Sequence, residues 1–184
     1  MKKNKSDQYD VLSKAFHWIT AIMVFAAFLL GPGDFGHLID SGIDPGTRID
    51  IAWHESLGVS IFLITFLRLV WVSIRPSAPR HQLAPGLHFL SRLMHMALWL
   101  LLFALPLSAL MALGSESHPM TLLGGLRVDE LPWIATSYLA GIADWGEVHK
   151  FLGDSIVWLA GIHAFAALYH HFRLKDKVLN SMLP

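Results

Sequence analysis

The chain has 184 residues, of which 54% are hydrophobic and only 15% are charged, and its formal net charge is zero. This composition is too apolar for an ordinary soluble domain and is typical of a small bundle of membrane helices, and the balanced charge gives no support to nucleic acid as a partner. The absence of cysteine excludes disulfides, thiolate-bound iron–sulfur centres and Cys-bound zinc. The eleven histidines are therefore the main strong ligands for a transition metal.

Four apolar stretches, each long enough to cross a bilayer, follow one another along the chain. The first is interpreted as a retained span, because no small-residue cleavage site follows it. In the long loop before the fourth stretch, residues 129–145 carry three aromatic anchors and are predicted to form a short helix at the membrane interface. We predict an all-α fold, a four-helix integral membrane bundle that forms a single domain over residues 1–184. The predicted spans are residues 14–31, 53–74, 89–113 and 147–173.

Lysine and arginine residues set the predicted orientation, because cytoplasmic loops carry an excess of them. One side of the predicted bundle holds both termini and the connection between spans two and three, and its basic residues are Lys2, Lys3, Lys5, Lys14, Arg68, Arg75, Arg80, Arg92, Arg173, Lys175 and Lys177. The other side has only Arg48, Arg127 and Lys150, together with the acidic residues Asp34, Asp40, Asp44, Asp50, Glu116, Asp129, Glu130 and Asp144. Both termini are therefore predicted to be cytoplasmic, with the two longer loops on the outer side.

Histidines occur at two matched depths once the spans are oriented. His149 and His163 of the fourth span are fourteen residues apart, which places them on nearly one face and about 21 Å apart along a helix. Ionisable side chains at such depths are costly and indicate a functional site. His54, at the outer start of the second span, matches His149. At the inner level, His163 is matched by either His17 or His95.

Two b-type haems, each held by two axial histidines, satisfy these depths. The sequences HESLG and HKFLG each place a glycine one turn after a histidine, namely Gly58 and Gly153. Such a glycine leaves room for a flat macrocycle, and the alternative is close helix packing through small residues. Arg68 is predicted to face the inner haem level, where it either pairs with a propionate or extends to the cytoplasmic interface.

The remaining histidines have less specific positions. His170 is a second candidate for the inner ligand on span four, and His95 is alternatively a hydrogen-bonded structural residue. His170 and His171 lie at the cytoplasmic end, either as interfacial anchors or as part of a quinone pocket. The histidines in loops or at span edges, which are predicted not to bind haem, are His37, His81, His88 and His118.

Motifs in all four spans resemble those of the bacterial cytochrome b561 family, and the resemblance covers nearly the whole chain. The matching segments are AFHWITA, WHESLG, RLMHMALWLLLFALPLS, VHKFLG and GIHAFAALYHHF. The resemblance implies a four-helix membrane bundle with two b haems. It also implies that His95 is not a ligand, that His17 and His163 hold the inner haem, and that the outer haem is held by His54 and His149.

The resemblance further implies an oxidoreductase of the bacterial inner membrane that exchanges electrons with ubiquinone. One branch of the family oxidises superoxide at the outer side, and His170 and His171 resemble the quinone-side region of that branch. The acidic outer loops favour a cationic periplasmic redox protein over the superoxide anion as electron donor. Two alternatives are a haem-bearing membrane anchor of a larger dehydrogenase or hydrogenase, and a histidine-lined metal or proton transporter.

Overall fold

Four long apolar helices dominate the computed structural model, which describes residues 8–33, 37–38, 41–75, 79, 85–115, 118–128 and 132–183. They are α1 (Val11–Leu30), α2 (Ile49–Ile74), α3 (Pro85–Ser115) and α4 (Trp145–Tyr169). The last of them continues into a π-helical segment, His170–Leu174. Within this described part of the chain, four helices are long and apolar enough to cross a membrane, as predicted.

Each helix begins earlier than the span predicted for it, and at α1 and α4 a capping carboxylate marks the start. The Asp10 carboxylate accepts the Ser13 N–H at 2.8 Å and starts α1. The Asp144 carboxylate accepts the Glu147 N–H at 3.0 Å and starts α4. Pro85 begins α3, a position where its missing N–H costs nothing.

Consecutive helices pair, and the two pairs are only loosely joined. The helix α1 packs along α2, and α3 packs along α4, whereas α2 contacts α3 less. Contacts between α1 and α4 are few, and those between α2 and α4 are fewer still. The face of α4 that is turned toward α1 and α2 is therefore the least filled part of the bundle.

A small aliphatic core lies between the two predicted histidine levels. Its fully buried residues, one from each long helix, are Ala27, Ile61, Leu102 and Ile156. In α4 the core residue is seven positions after His149 and seven before His163. Lipid tails are as apolar as this core, so the hydrophobic effect does not drive the helices together. Van der Waals packing between the helices stabilises the bundle instead.

The exposed surface around the bundle is strongly apolar. Trp158, Phe165 and Phe151 of α4 are each at least 70% exposed. Large apolar side chains exposed on this scale are expected where lipid covers the protein. The helices satisfy their own backbone hydrogen bonds, as the hydrocarbon region requires.

A short β-hairpin on the outer side was not predicted. Its strands are β1 (Met120–Thr121) and β2 (Arg127–Val128), which pair antiparallel. The Glu55 carboxylate accepts the N–H of Thr121, and the Ser56 hydroxyl accepts the Leu123 N–H at 2.8 Å. The hairpin is therefore anchored to the first turns of α2, beside the outer histidine level.

The interfacial helix predicted over residues 129–145 is wrong in its length. The described part of this stretch forms two short helical turns, Pro132–Ala135 and Tyr138–Gly141. Ser137 between them has extended backbone angles (φ −79°, ψ 151°), which interrupts the helix. The first turn is held in place by Ile134, whose side chain packs against Gly114 of α3.

Several residues used to predict the orientation lie outside the described residues. They are Lys2, Lys3, Lys5, Arg80 and five of the outer acidic residues, Asp34, Asp40, Glu116, Asp129 and Glu130. The predicted non-ligand His81 lies outside them as well.

Candidate functional site

The outer pair of histidines faces across the gap between α2 and α4. The ring centres of His54 and His149 are 6.0 Å apart, with an interplanar angle of 89°. His54 Nδ1 lies 2.8 Å from the Ala27 carbonyl oxygen, and His149 Nδ1 lies 3.0 Å from that of Leu105. A carbonyl only accepts hydrogen bonds, so each Nδ1 carries the proton and donates it. Each Nε2 is then left with a free lone pair, the state that binds a metal.

The inner level holds three histidines around His163. The ring centre of His17 is 6.3 Å from that of His163, and the ring centre of His95 is 5.3 Å from it. Arg68 lies within electrostatic range of all three. Its guanidinium carbon is 5.0 Å from the ring centre of Trp99, one turn after His95. Arg68 therefore lies near the inner histidine level, fourteen residues after His54.

The spacing of two histidine pairs fits an iron atom held between trans imidazoles. An imidazole nitrogen binds a transition metal at about 2 Å, so the ring centres of two trans ligands lie roughly 6 Å apart. The separations of 6.0 Å at the outer level and 6.3 Å between His17 and His163 meet this requirement. Among the described residues no group of three or more histidine and acidic side chains is arranged to hold a bare metal ion. A macrocycle that supplies the other ligands fits such pairs.

The two inner candidates lie on helices that differ in how they pack against α4. His17 lies on α1, which scarcely touches α4, whereas His95 lies on α3, which packs along α4. A flat macrocycle between two axial ligands needs open space between the helices that carry them. The few contacts between α1 and α4 are compatible with such a group between His17 and His163.

The glycines of the two His-x-x-x-Gly sequences are not in close helix contacts. A Cβ atom added at Gly58 meets no atom within 4 Å, and one added at Gly153 meets only Leu105, at 4.0 Å. Close packing through small residues requires a neighbouring backbone at these points. The structure instead shows open space one turn after each outer histidine.

Four contributions to the outer pair were missed by sequence reasoning. Two are backbone carbonyls, of Ala27 and Leu105, which carry no signal in the side-chain pattern. The third is Ser108, whose hydroxyl lies 3.2 Å from His149 Nδ1. Gly31 also contributes, since a Cβ there lies 3.5 Å from the His54 ring. Its position just after an apolar span was the one available signal.

The histidines at the inner end of α4 are placed apart from the paired rings. His170 Nδ1 contacts the Asp176 carboxylate at 2.5 Å, and His171 packs edge-on against Phe172 with ring centres 4.9 Å apart. Because His170 is two helical turns beyond His163 and engaged with Asp176, the alternative that it is an inner axial ligand is not supported. Of the predicted non-ligands, His37 and His88 are exposed.

Ion pairs neutralise much of the charge described on the outer side. Arg127 pairs with Asp44 at 2.9 Å, and Arg48 pairs with Asp50. The hydrogen bond from Arg127, followed by one from the Gly46 N–H, holds the pKa of Asp44 below its ordinary value. Of the three outer basic residues, Lys150 is the one that has no ion pair within the described residues.

Comparison with known proteins agrees with this arrangement. The sequence profile described as prokaryotic cytochrome b561 matches residues 8–184. Cytochrome b561 homolog 2 of Escherichia coli (strain K12) is 34% identical over 183 residues, covering 98% of this chain and 93% of that protein. The probable superoxide oxidase CybB of Yersinia pestis is 23% identical over 187 residues, covering 96% of each. Cytochrome b561 homolog 1 of Escherichia coli (strain K12) is 30% identical over 139 residues, covering 71% of this chain and 73% of that protein.

An apolar bundle with histidines that face one another is in keeping with a haem-binding family. Proteins of this family bind haem b and exchange electrons with quinone and redox partners. The four apolar helices make the chain a multi-pass protein of the bacterial inner membrane. The chain belongs to the prokaryotic cytochrome b561 family, whose members are membrane electron carriers.

Proposed function

We propose that this protein is a diheme b-type cytochrome that transfers electrons between a donor at the outer face and the ubiquinone pool. The observation that carries the proposal is the presence of two histidine pairs with ring separations of 6.3 Å and 6.0 Å. Their members on α4 are fourteen residues apart, about 21 Å along the helix. Two redox centres at these depths connect the two sides of a bilayer about 30 Å thick.

The proposed ligands are His54 and His149 for the outer haem and His17 and His163 for the inner haem. When bound, haem supplies a one-electron iron couple, and the protein tunes it through axial ligands and their hydrogen bonds. The carbonyls that accept from the outer Nδ1 atoms orient both rings and raise their basicity as ligands.

The groups proposed to surround the haems are Gly58, Gly153 and Arg68. The open space at both glycines supports a role in haem clearance. Arg68 lies at the inner histidine level, half-buried over Trp99, where a guanidinium can form charge-assisted hydrogen bonds with a propionate. The orientation with both termini in the cytoplasm is part of the same proposal, and the excess of basic residues on the inner side supports it.

A count of haem per chain tests the proposal most directly. Protein purified from membranes of haem-supplied cells is expected to contain two b haems per chain, because each histidine pair binds one iron. The measurement combines a pyridine haemochrome assay with quantitative amino-acid analysis, and a reduced-minus-oxidised spectrum identifies the haem type. A value of one means that one of the two pairs does not bind haem, and folded protein without haem removes the proposal.

The outer electron donor is proposed to be superoxide, which one relative's name carries, or a cationic redox protein. Lys150, exposed and directly after His149, is the described outer cation without an ion pair and supports anion steering at that point. Asp154 and Glu147 are exposed on the same helix and support docking of a cationic protein.

Charge reversal at Lys150 separates the two donors. Lys150→Glu is expected to slow superoxide-driven quinone reduction roughly threefold to tenfold at low ionic strength, because steering of an anion depends on local charge. The effect should fade at high salt. Stopped-flow measurement of haem reduction at two salt concentrations provides the readout. Arg92→Glu, the same reversal at the start of α3, is the matched control. An unchanged rate in Lys150→Glu contradicts steering at this position, and faster reduction by a basic redox protein assigns the outer face to that donor.

Ubiquinone is proposed to react near His170 and His171 at the inner end of α4. Both follow His163 within eight residues, and the segment that holds them departs from the regular helix. Single π-helical turns occur frequently at functional sites.

A further inference from the structure

The chain makes a tight reversal directly after the proposed quinone-side histidines. The π-helical segment His170–Leu174 ends at Lys175, which has a left-handed conformation with φ of 53°. Such a conformation is uncommon for a residue other than glycine. The His170 carbonyl accepts the N–H groups of both Lys175 and Asp176. The reversal returns the Asp176 carboxylate to the His170 ring, where Oδ2 contacts Nδ1.

The carboxylate of Asp176 is held in an ordered segment. Its Oδ1 accepts the Val178 N–H at 3.0 Å, so both carboxylate oxygens are engaged. The chain beyond it is attached to the start of the bundle, where the Met182 carbonyl accepts from Trp18 Nε1 at 2.9 Å. The Ser181 carbonyl accepts the Tyr9 N–H at 3.0 Å. The C-terminal segment therefore crosses the inner end of the bundle and reaches the residue next to His17.

The two side chains of this pair lie at different depths. The side chain of His170 is 14% exposed and that of Asp176 is 31% exposed. His170 follows His163 by seven residues, two helical turns on the same face. Within the described residues, the one hydrogen bond of the His170 ring is made by Nδ1, which leaves Nε2 available. The pair thus lies two helical turns from His163, with its carboxylate more exposed than its imidazole.

We propose that His170 and Asp176 form a proton-delivery dyad for the reduction of a quinone at the inner end of α4. The inference rests on the proposed quinone reaction. Reduction of a quinone to a quinol consumes two electrons and two protons and forms two O–H bonds. A haem held by the inner histidines would supply these electrons one at a time. The protons come from water through the dyad.

In each transfer, Nε2–H of a protonated His170 donates to a quinone oxygen, and the N–H bond breaks as the O–H bond forms. Asp176 stabilises the protonated ring through Nδ1–H and keeps Nε2 directed away from itself, a positioning role like that of other His–carboxylate pairs. Water at the inner face then returns a proton to Nε2. The cationic residues on the same segment, Arg173 and Lys175, flank the dyad without contacting its ring within the described residues.

Single-turnover oxidation of pre-reduced protein tests the dyad. Asp176→Asn is expected to slow electron transfer to a short-chain ubiquinone about 10-fold to 100-fold, because a positioned proton donor contributes on this scale. Transfer to ferricyanide, which takes an electron without a proton, should keep the wild-type rate. Asp176→Glu should recover most of the quinone rate, and imidazole should restore part of it in His170→Gly. Asp144→Asn is the control, because it makes the same change at an exposed position at the opposite end of α4, where asparagine also caps a helix.

Equal slowing of the quinone and ferricyanide reactions in Asp176→Asn overturns the dyad and leaves a structural role for this residue. An unchanged quinone rate in this variant also overturns it. Wild-type protein with both haems that does not reduce any ubiquinone refutes the proposed quinone reaction itself, which keeps the two failures distinct.

A measurement that does not depend on turnover checks the contact itself. With ¹⁵N-labelled histidine, the Nδ1–H proton of His170 is expected at low field, where protons shared with a carboxylate resonate. The resonance should be lost in Asp176→Asn and retained in Asp144→Asn. Its persistence in Asp176→Asn would show that the ring has another partner and would remove the dyad.

Discussion

Replacing His149 by alanine is expected to remove one haem and to leave the other in place. The ring of His149 is oriented by two acceptors on α3, Leu105 and Ser108, and faces His54 at 6.0 Å. Alanine removes one of the two nitrogens proposed to bind the iron, which weakens haem binding at a site built for two histidines. Because α4 carries the inner ligand fourteen residues further on, the inner site should persist. Haem per chain should fall from two to about one, with about half of the reduced α-band absorbance.

His54→Ala should give the same loss, since it removes the partner on α2. His88→Ala is the matched control, because this histidine is exposed at the start of α3. Loss of both haems in either outer variant would show that the pairs are not assigned to separate depths. Retention of both would show that the outer pair does not bind haem. Circular dichroism of each purified variant distinguishes haem loss from unfolding.

Replacing His17 by alanine is expected to remove the inner haem, whereas replacing His95 should leave both haems bound. The distances alone do not favour His17, since the His95 ring is closer to His163, at 5.3 Å against 6.3 Å. The packing of the helices supports the proposal of His17, because α3 is packed along α4 and α1 has few contacts with α4. A macrocycle between His95 and His163 would have to separate two packed helices.

The spectrum and midpoint potentials of both variants provide the measurement. In His95→Ala the inner haem should remain bound, and its midpoint potential should shift because the polar ring beside it is lost. In His17→Ala the outer haem alone should titrate. A missing haem in His95→Ala together with two haems in His17→Ala would reverse the assignment of the inner ligand.

The contrast between His95 and His17 shows what sequence reasoning achieved at the site. The depths of the histidines follow from helical rise, so the pairing of His54 with His149 was predicted from the residues alone. At the inner level the residues left His17 and His95 open, and only the family resemblance favoured His17. Adjacency of helices is not encoded in rise or periodicity, and so the physical reason for that preference had to come from the packing.

The charged residues likewise show a difference between what the sequence predicts and what the structure adds. The excess of acidic residues on the outer side was evident from the sequence, yet the effect of that charge depends on pairing. Arg127 reaches Asp44 across 83 positions of chain, and this contact leaves Lys150 as the unpaired outer cation of the described residues. A count of charges assigns equal weight to all three outer basic residues, whereas ion pairs neutralise two of them, Arg48 and Arg127.

The sequence by itself determined the four spans and the depths of the histidines, because hydrophobic length and helical rise are local properties. Only the tertiary structure decided which nitrogen of each outer histidine is free, since the Ala27 and Leu105 carbonyls belong to neighbouring helices. It also decided that Asp176 returns to His170, because a left-handed turn at Lys175 reverses the chain against its intrinsic preference. The local sequence pattern places side chains at the same depth in the bundle, and contacts between distant parts of the chain determine which of them interact.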